Sequence, residues 1–481
     1  MVPSVKLGGA LIEVVPDRST CLDISIRRLK CCLAVFSLLI VGLLPLSAVA
    51  QITEPLQPTV APISGPQLPS PREQPIAAGQ TVTTRPHPEY DPIGLRLGDF
   101  FWFPHAELDE TYNSNIFATT SSPTKDLIST PQPGFDLISN FPRNSLNVHG
   151  TSALQFYGAH GAQNTQDGLV NVDGQLDVTA GSSLYGNASV AHQHISYGSP
   201  NSPGSPNSPA NIAQQVNIAQ PVTYWDYIAR AGYKQELRRF SYQVDLGVEA
   251  AQYNAAQLVG GGVLPQSSQD ATIASAAVRA GYELVPDYVG YLRVGGSQFD
   301  YWHASLNNSS TYRIDVGLQI RPRHIIYGEA YVGYLTQSFA QSSLGSTSGA
   351  DYGGRLVWNV TRLTTLTFDG LRTFNTGTPS VGGTTVIGSA GTGYLSSTIT
   401  ANADHELLRN LLLNLNGYYE NDSFQGITRT DNVFSAGAGL KYLVNRNLFV
   451  GGSFSYYQRS STAVGSSFTQ NILMLRVGTQ F

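Results

Sequence analysis

The chain ends on the segment Asn471-Ile472-Leu473-Met474-Leu475-Arg476-Val477-Gly478-Thr479-Gln480-Phe481, and this segment decides the fold class. Its apolar residues recur at alternate positions, at Leu473, Leu475, Val477 and Phe481. Because successive side chains of a β-strand point to opposite sides of the sheet, these residues share one face. The segment is therefore predicted to be an amphipathic strand whose apolar face ends on an aromatic ring.

This terminal strand resembles the last strand of Gram-negative outer-membrane β-barrels, which closes on a C-terminal Phe. The resemblance implies that Phe481 is an assembly signal, read by the outer-membrane assembly machinery. It also implies that the apolar face of the strand meets outer-membrane lipid. The strand thus suggests the bacterial outer membrane as the location and a β-barrel as the fold.

The N-terminal region is typical of a secretory leader. A basic cluster at residues 27–30 precedes an apolar stretch from Cys31 to Leu46, and the small residues Ala48-Val49-Ala50 follow. We predict a signal peptide over residues 1–50, cleaved after Ala50. All three cysteines lie inside this leader, so the mature chain is predicted to hold neither a disulfide nor a thiolate metal site.

The composition is that of a chain with few charges and many small or aromatic residues. Charged residues make up 13% of the sequence, Gly occurs 48 times, Tyr occurs 25 times, and the mean hydropathy is −0.09. The net charge of −5 argues against nucleic-acid binding, which requires clustered positive charge. After the leader, no apolar run approaches the roughly 18 residues of a membrane-spanning helix, so strands are the predicted membrane-crossing elements.

Residues 51–93 are rich in proline and poor in apolar residues, as at Pro66, Pro69, Pro71 and Pro75. Such a composition favours extended, polyproline-like chain and offers little surface to bury. We predict a disordered periplasmic linker over residues 51–93. The barrel domain is predicted to occupy residues 94–481.

From Leu95 onward the apolar pattern has period two, clearest in residues 170–178, 242–250 and 312–320. A soluble sandwich would also alternate, so the connections decide between the two folds. Short turns and long loops alternate along this chain, which is the asymmetry of outer-membrane barrels, with the short turns facing the periplasm. Short turns are predicted near Pro142, Gly181, Arg238, Pro286, Pro322, Arg362, Arg409 and Arg446.

This scheme predicts an all-β fold, a closed antiparallel transmembrane barrel of about eighteen strands, with sixteen or fourteen as alternatives. Closure is expected because an open sheet in lipid would leave edge N–H and C=O groups without partners. The first two predicted strands, near residues 101–112 and 127–139, contain Pro104, Pro131 and Pro133. Proline lacks an N–H, so these residues are expected at strand starts, bulges or unpaired ends.

A second resemblance lies where the predicted barrel begins. The strand Leu95-Arg96-Leu97-Gly98-Asp99-Phe100-Phe101-Trp102-Phe103-Pro104 is followed by Tyr112-Asn113-Ser114-Asn115-Ile116-Phe117. This arrangement is similar to the opening motif of the family called putative β-barrel porin 2, and the likeness extends as a pattern from about Leu95 to Phe481. It implies a bacterial outer-membrane barrel. Some relatives are associated with capsular or exopolysaccharide production, which implies polysaccharide-export partners as an alternative.

The sequence offers no constellation that predicts an enzyme. His405-Glu406-Leu407-Leu408-Arg409 begins like a zinc-binding helix motif, but Arg409 stands where a second His is required, and a periplasmic turn is predicted there. His192 and His194 share a strand face without a third ligand, which favours polar rim side chains over a metal site. We expect no catalytic site, no metal and no cofactor. A hydrolase with scattered Ser, His and acidic residues is the enzymatic alternative.

Charges on the inward-facing register are the candidate functional residues, and both signs occur among them. The candidate lumen-lining residues are Arg230, Asp245, Glu249, Arg279, Arg293, Arg313, Asp315, Glu329 and Arg355. A lumen lined in this way predicts a porin-like protein for passive diffusion of small hydrophilic solutes. Two alternatives stay open, namely a structural or export-associated barrel of a capsular or exopolysaccharide system and a surface adhesin or receptor that uses its external loops.

Overall fold

The computed structural model describes residues 79–199, 202–205, 217–341, 346–375, 393–425 and 428–481. The predicted signal peptide and residues 51–78 of the predicted linker lie outside these described residues. The long strands, numbered in chain order, are β1 (Phe100–Asn113), β2 (Asp126–Ser139), β3 (Ser145–Tyr157), β4 (Thr165–Thr179), β5 (Ser182–His194), β6 (Thr223–Leu237), β7 (Phe240–Tyr253), β8 (Ala271–Val285), β9 (Tyr288–Tyr301), β10 (Ser309–Ile320), β11 (Ile326–Phe339), β12 (Ser346–Thr361), β13 (Thr364–Asn375), β14 (Tyr394–Leu408), β15 (Leu411–Phe424), β16 (Thr430–Leu443), β17 (Leu448–Ser461) and β18 (Phe468–Gln480).

The eighteen long strands form one closed antiparallel barrel, in which each strand pairs with the strands before and after it in the chain. The ring closes because β1 pairs with β18, from His105 opposite Gln480 to Asn113 opposite Ile472. The predicted fold class and strand number are confirmed. Closure gives every edge a partner, which lipid requires of any sheet that crosses it.

A short strand, Leu95–Leu97, extends the sheet beyond the end of β18. It pairs with Phe100–Trp102 of β1, on a part of the strand that β18 does not reach. Between the two pairings, the Phe481 N–H donates to the Pro104 carbonyl at 3.2 Å. The first strand is therefore covered by two different segments of the chain.

The eight predicted short turns all lie between consecutive barrel strands, from β2–β3 to β16–β17. The connections at the opposite end include much longer stretches, such as residues 114–125, 195–222 and 254–270. Three of these connections contain a single 3₁₀ turn, at Gly161–Gln163, Ser267–Gln269 and Ser305–Asn307. The alternation of turn and loop follows the sequence pattern because strand ends are marked by Pro, Gly and charged residues.

Alternation along each strand separates an apolar outer face from a polar inner face. On β18, the side chains of Leu473, Leu475 and Val477 are 50%, 62% and 51% exposed, whereas Arg476 between them is buried. The exposed apolar side chains are those that the hydrocarbon region of a membrane would cover. The predicted amphipathic face of the terminal strand is thus present in the barrel.

Inward-facing aromatic rings lie over glycines on the neighbouring strand. Phe449 covers Gly478 and Tyr291 covers Gly317, and in each case the two residues are direct cross-strand partners. A Cβ on either glycine would collide with the ring. Rings laid flat against the wall in this way keep aromatic bulk out of the centre of the lumen.

Two prolines interrupt the hydrogen-bond ladder between β2 and β3. Both strands lie wholly within the described residues. Pairing runs from Ile128 to Ser129, stops, and resumes at Gly134 in the same register. Pro131 and Pro133 lie in this gap, while their pairing with β1 on the other side is continuous. The prediction of strand starts, bulges or unpaired ends was wrong for this pair, because a mid-strand proline is tolerated when its missing N–H faces an unpaired stretch.

Described parts of three loops pack on one another at the external end. The loops that follow β5 and β7, together with the start of β6, form a buried cluster of Ile195, Ile218, Val222, Tyr224 and Ala256. The connection after β1 joins this assembly, since rings in it and in the β5 loop are in edge contact. The described parts of the loops after β1, β5 and β7 therefore pack together above the strands.

Candidate functional site in the lumen

The nine candidate residues all occupy the register opposite to the exposed apolar side chains. In β8, β9 and β10, for example, Arg279, Arg293 and Arg313 alternate with exposed residues such as Val278, Val294 and Ile314. Their side chains therefore point to the interior of the barrel. A role for them in permeation stays a prediction.

One group of the nine lies on the wall formed by β8 to β11. The Arg279 guanidinium donates to Glu329 at 2.9 Å and to the Gln319 side chain at 3.1 Å. The same guanidinium lies 3.6 Å from the centre of the Tyr291 ring. An arginine held by a carboxylate and an aromatic face is fixed in position, which a flexible lysine would not be.

A second group joins β9, β10 and β12. Arg293 donates to Asp315 at 2.8 Å, and Arg313 donates to Asp351 at 2.9 Å while lying 3.6 Å from Asp315. The Arg293 guanidinium also lies 4.4 Å from the centre of the Tyr331 ring. These alternating charges form a neutral network, whose fourth member, Asp351, was not among the predicted lumen-lining residues.

The remaining candidates are spread over other strands. Arg230 lies 3.5 Å from Glu249, and Asp245 accepts a hydrogen bond of 2.6 Å from the Tyr185 hydroxyl. Arg355 lies 3.5 Å from Asp369, but its side chain is 66% exposed, so this ion pair is weaker than the buried pairs. The structure therefore divides the nine residues among several separate groups along the wall.

Another cluster near the external end was not anticipated. Arg429 donates two hydrogen bonds to Asp431, and Arg459 lies 3.6 Å from the same carboxylate. Close by in the fold, Glu420 accepts hydrogen bonds from the Ser396 and Tyr418 hydroxyls. The alternation of polar and apolar residues along β15 and β16 is the sequence signal that could have predicted the inward direction of Glu420 and Asp431.

The wall from β2 to β5 has a different charge balance. Between residues 126 and 194 the sequence contains five aspartates, while its one Lys or Arg is Arg143, in a turn. Histidine is a partner of these carboxylates, since His149 lies 2.6 Å from Asp136 and 3.1 Å from Asp173. Carboxylates therefore outnumber Lys and Arg on this side of the barrel.

Residues 79–91, here called the N-terminal strap, lie against the periplasmic ends of the strands. The Val82 side chain is almost completely buried, and its N–H donates to Thr365 on β13 at 3.0 Å. The Arg85 guanidinium donates to Glu406 on β14 at 3.0 Å. The prediction of a disordered linker was therefore wrong for residues 79–93, because the barrel supplies the partners that the linker sequence itself lacks.

The strap also has internal structure. The His87 N–H donates to the Asp91 carboxylate at 2.6 Å, and the His87 side chain is buried beside Glu406. Burial raises the pKa of the Asp91 carboxyl above its ordinary value. The local turn and the contacts with the wall fix the strap as part of the folded domain.

The two histidine motifs hold no metal-binding arrangement. His405 and Glu406 lie near the end of β14, not in the turn, and Glu406 is an anchor of the strap. The His192 ring is tilted against the Trp225 ring, with their centres 4.9 Å apart, and His194 lies 2.8 Å from Asp167. Across the described ranges, no group of three His, Cys, Asp or Glu side chains is placed to hold a metal ion. Nor does any helix in the described part of the chain have the length and apolar character to span a membrane.

A closed antiparallel barrel with an apolar outer face and a charged interior defines an integral protein of porin type. The chain belongs to the family described as putative beta-barrel porin 2, whose match covers residues 87–481. It is a porin-like protein of the bacterial outer membrane. The family match begins inside the strap, in agreement with the ordered structure found there.

Several solved structures are similar in fold. The outer membrane protein OpdK from Pseudomonas aeruginosa is 12% identical, with 79% of this chain and 99% of that chain covered and a TM-score of 0.38. OccAB3 from Acinetobacter baumannii is 11% identical, with coverage of 80% and 100% and a TM-score of 0.40. A BenF-like porin from Pseudomonas fluorescens is 11% identical, with coverage of 79% and 99% and a TM-score of 0.40. No protein with a curated description matches the chain in sequence.

Proposed function

We propose that this protein is a passive channel for small hydrophilic solutes, and that it has no enzymatic activity. The observation that carries the proposal is the pairing of an eighteen-stranded closed barrel with an interior that bears charges of both signs. A barrel of this strand number has an interior wide enough for water. Charged and amide side chains along it offer hydrogen bonds that compensate a solute for lost hydration.

The nine inward-facing residues are proposed to act as the lining of the path. Because all five arginines among them lie within 3.5 Å of a carboxylate, they present ordered dipoles more than free charge. Such a surface favours polar solutes without strong rejection of either ion sign. The export and adhesin alternatives have no support in the family match or in the similar structures.

The decisive experiment is single-channel recording of the mature chain, refolded into a planar bilayer. Stable conductance steps are expected, together with heat-modifiable migration on a gel as proof of folding. A silent bilayer with a folded barrel would overturn the channel proposal.

We also propose that residues 1–50 are a signal peptide removed after Ala50, and that Phe481 is read by the assembly machinery. N-terminal sequencing of the protein from outer membranes should then begin at Gln51. A first residue upstream of Gln51 would contradict the cleavage site.

A further inference from the structure

The strap crosses the periplasmic end of the barrel on the inside of the wall. The residues that bind it come from separate strands, with Tyr327 on β11, Asn359 on β12, Thr365 on β13 and Glu406 on β14. Each of these four lies on the register opposite to exposed apolar neighbours such as Ile326, Trp358 and Leu407. The strap therefore lies within the lumen and not on the outer surface.

The contacts follow the strap along its length. The Tyr327 hydroxyl donates to the Gly79 carbonyl at 2.6 Å, and the Asn359 amide donates to the Gln80 carbonyl at 2.9 Å. At the other end of the strap, Gln480 on β18 donates to the Tyr90 carbonyl at 3.2 Å. The strap thus runs from the last strand back to β11 around the inner rim of the mouth.

Two further contacts hold its middle. Arg446, in the turn between β16 and β17, donates to the Pro88 carbonyl at 2.7 Å. The Arg85–Glu406 ion pair is well shielded from solvent, with side-chain exposures of 19% and 3%. A segment with anchors at both ends and in the middle occupies a fixed part of the mouth.

Between the strap and the wall lies a cavity of about 380 Å³. Its lining includes the polar residues Thr83 and Arg85 of the strap, with Asn414 of β15 and Lys441 of β16 on the wall. Apolar residues of the wall, such as Leu413, also line it. Both sides of the cavity therefore carry groups that can hydrogen-bond water. Displacement of the strap would join this space to the rest of the lumen.

We propose that the N-terminal strap is the periplasmic constriction of the channel and sets its conductance. This inference rests on the proposed channel function. The anchored strap reduces the cross-section open to ions, and its release from Thr365 and Glu406 widens the mouth. Loss of the Arg85–Glu406 ion pair favours release of the strap from the wall, because the pair is one of the contacts that hold the strap there.

The first test compares the conductance of the full mature chain with that of a variant that lacks residues 79–91. We expect the conductance of the variant to be at least about twofold larger, since ion flow follows the open cross-section of the narrowest part. Heat-modifiable migration shows that the barrel of the variant has folded. An unchanged conductance in a folded variant would overturn the strap proposal.

The second test keeps the whole chain. Val82→Cys and Thr365→Cys place a thiol pair across a contact of 3.0 Å between the Val82 N–H and the Thr365 hydroxyl, and residues 79–481 contain no native cysteine. With Glu406→Gln added, the reduced protein should show the larger conductance, and oxidation should return it to the wild-type level. Equal conductance in the two redox states would count against the strap.

Glu236→Gln is the matched control for Glu406→Gln, because Glu236 is also an acid near the periplasmic end but is paired with Lys234 and not with the strap. Its conductance should equal that of the wild type. The outcomes separate the two proposals. If the full chain and the deletion variant are both silent, the channel function fails and the strap proposal fails with it. If both conduct equally, only the strap proposal fails.

Discussion

Arg476 on the last strand donates two hydrogen bonds of 2.6 Å to the carboxylate of Asp109 on the first strand. Glu107, also on the first strand, lies 2.7 Å from the same guanidinium. The pair joins residues 367 positions apart in the chain, at the line where the barrel closes. Closure of the ring is therefore secured by buried charge in addition to backbone hydrogen bonds.

Arg476→Gln should lower the free energy of unfolding by about 3 kcal/mol, because two carboxylates of the first strand lose their buried counter-charge. Urea titration in lipid vesicles, followed by gel migration, measures the loss. Arg355→Gln is the control, since its pair is exposed and should cost less than about 1 kcal/mol. An equal loss of unfolding free energy in the two variants would contradict a special role for the ion pair between the first and last strands.

Removal of Phe481 should reduce assembly more than it alters the channel. The residue contributes one backbone hydrogen bond, to Pro104, and its exposed ring belongs to the outer face. The fraction of heat-modifiable protein in outer membranes should fall, while the molecules that do assemble should keep the wild-type conductance. Normal assembly without Phe481 would refute its proposed role as a signal.

Gly478→Ala should destabilise the barrel by about 1–3 kcal/mol, because the added methyl group collides with the Phe449 ring. Phe449→Ala in the same chain should recover part of this loss. Gly417→Ala is a suitable control, since a Cβ there meets no neighbour within 4 Å. Unfolding in urea measures all of these variants, and equal effects of the two glycine substitutions would show that packing is not the cause.

Asp270, immediately before β8, should make the external loop that ends there more stable at lower pH. Burial raises the pKa of its carboxyl from 3.8 to about 6. The folded state then binds the proton more tightly than the unfolded state, so stability increases as pH falls from about 6 toward 3.8. Protease cleavage of the loop after β7 should be slower at pH 5 than at pH 7.

Asp270→Asn provides the reference for this experiment, because it carries no titrating carboxyl at that position. The ratio of wild-type to variant cleavage rates removes the pH dependence of the protease itself. His303 lies 3.8 Å from Asp270, so the comparison is repeated in a His303→Gln background. A ratio that does not change with pH would contradict the prediction.

Arg313→Gln should shift the ion selectivity of the channel toward cations. The substitution removes the counter-charge of Asp351 and leaves Asp315 with Arg293 alone. The reversal potential in a salt gradient measures this shift. Arg313→Gln combined with Asp351→Asn restores the charge balance and should return the potential toward the wild-type value; a double variant identical to the single one would contradict the argument.

The sequence was sufficient to predict the barrel because each strand carries its own signal. The alternation on β18 and the Pro, Gly and charged residues at the short turns are local features, and they locate the strands and both faces of the sheet. Strand pairing then follows from the order of the chain. The inward direction of the Arg293 and Asp315 side chains could be predicted from the sequence for the same reason.

The ion-pair partners of these residues could not be predicted from the sequence. Arg313 pairs with Asp351 on a strand two positions away around the barrel, and such a choice depends on strand stagger, which alternation does not determine. The contacts of the strap with the barrel could also not be predicted from the sequence. Val82 and Arg85 lie in a proline-rich segment that has few apolar residues to bury, and their partners Thr365 and Glu406 are far along the chain.

The gap beside Pro131 and Pro133 has a mechanical consequence. A ring whose strands are bonded evenly resists flattening equally from every direction, whereas a ring with one interrupted joint bends first at that joint. The line between β2 and β3 is therefore the compliant side of this barrel, and only β1 and β2 separate it from the Arg476–Asp109 pair. Lateral pressure from the surrounding membrane would make the cross-section of the barrel oval, and the position of Pro131 and Pro133 would determine where the wall bends.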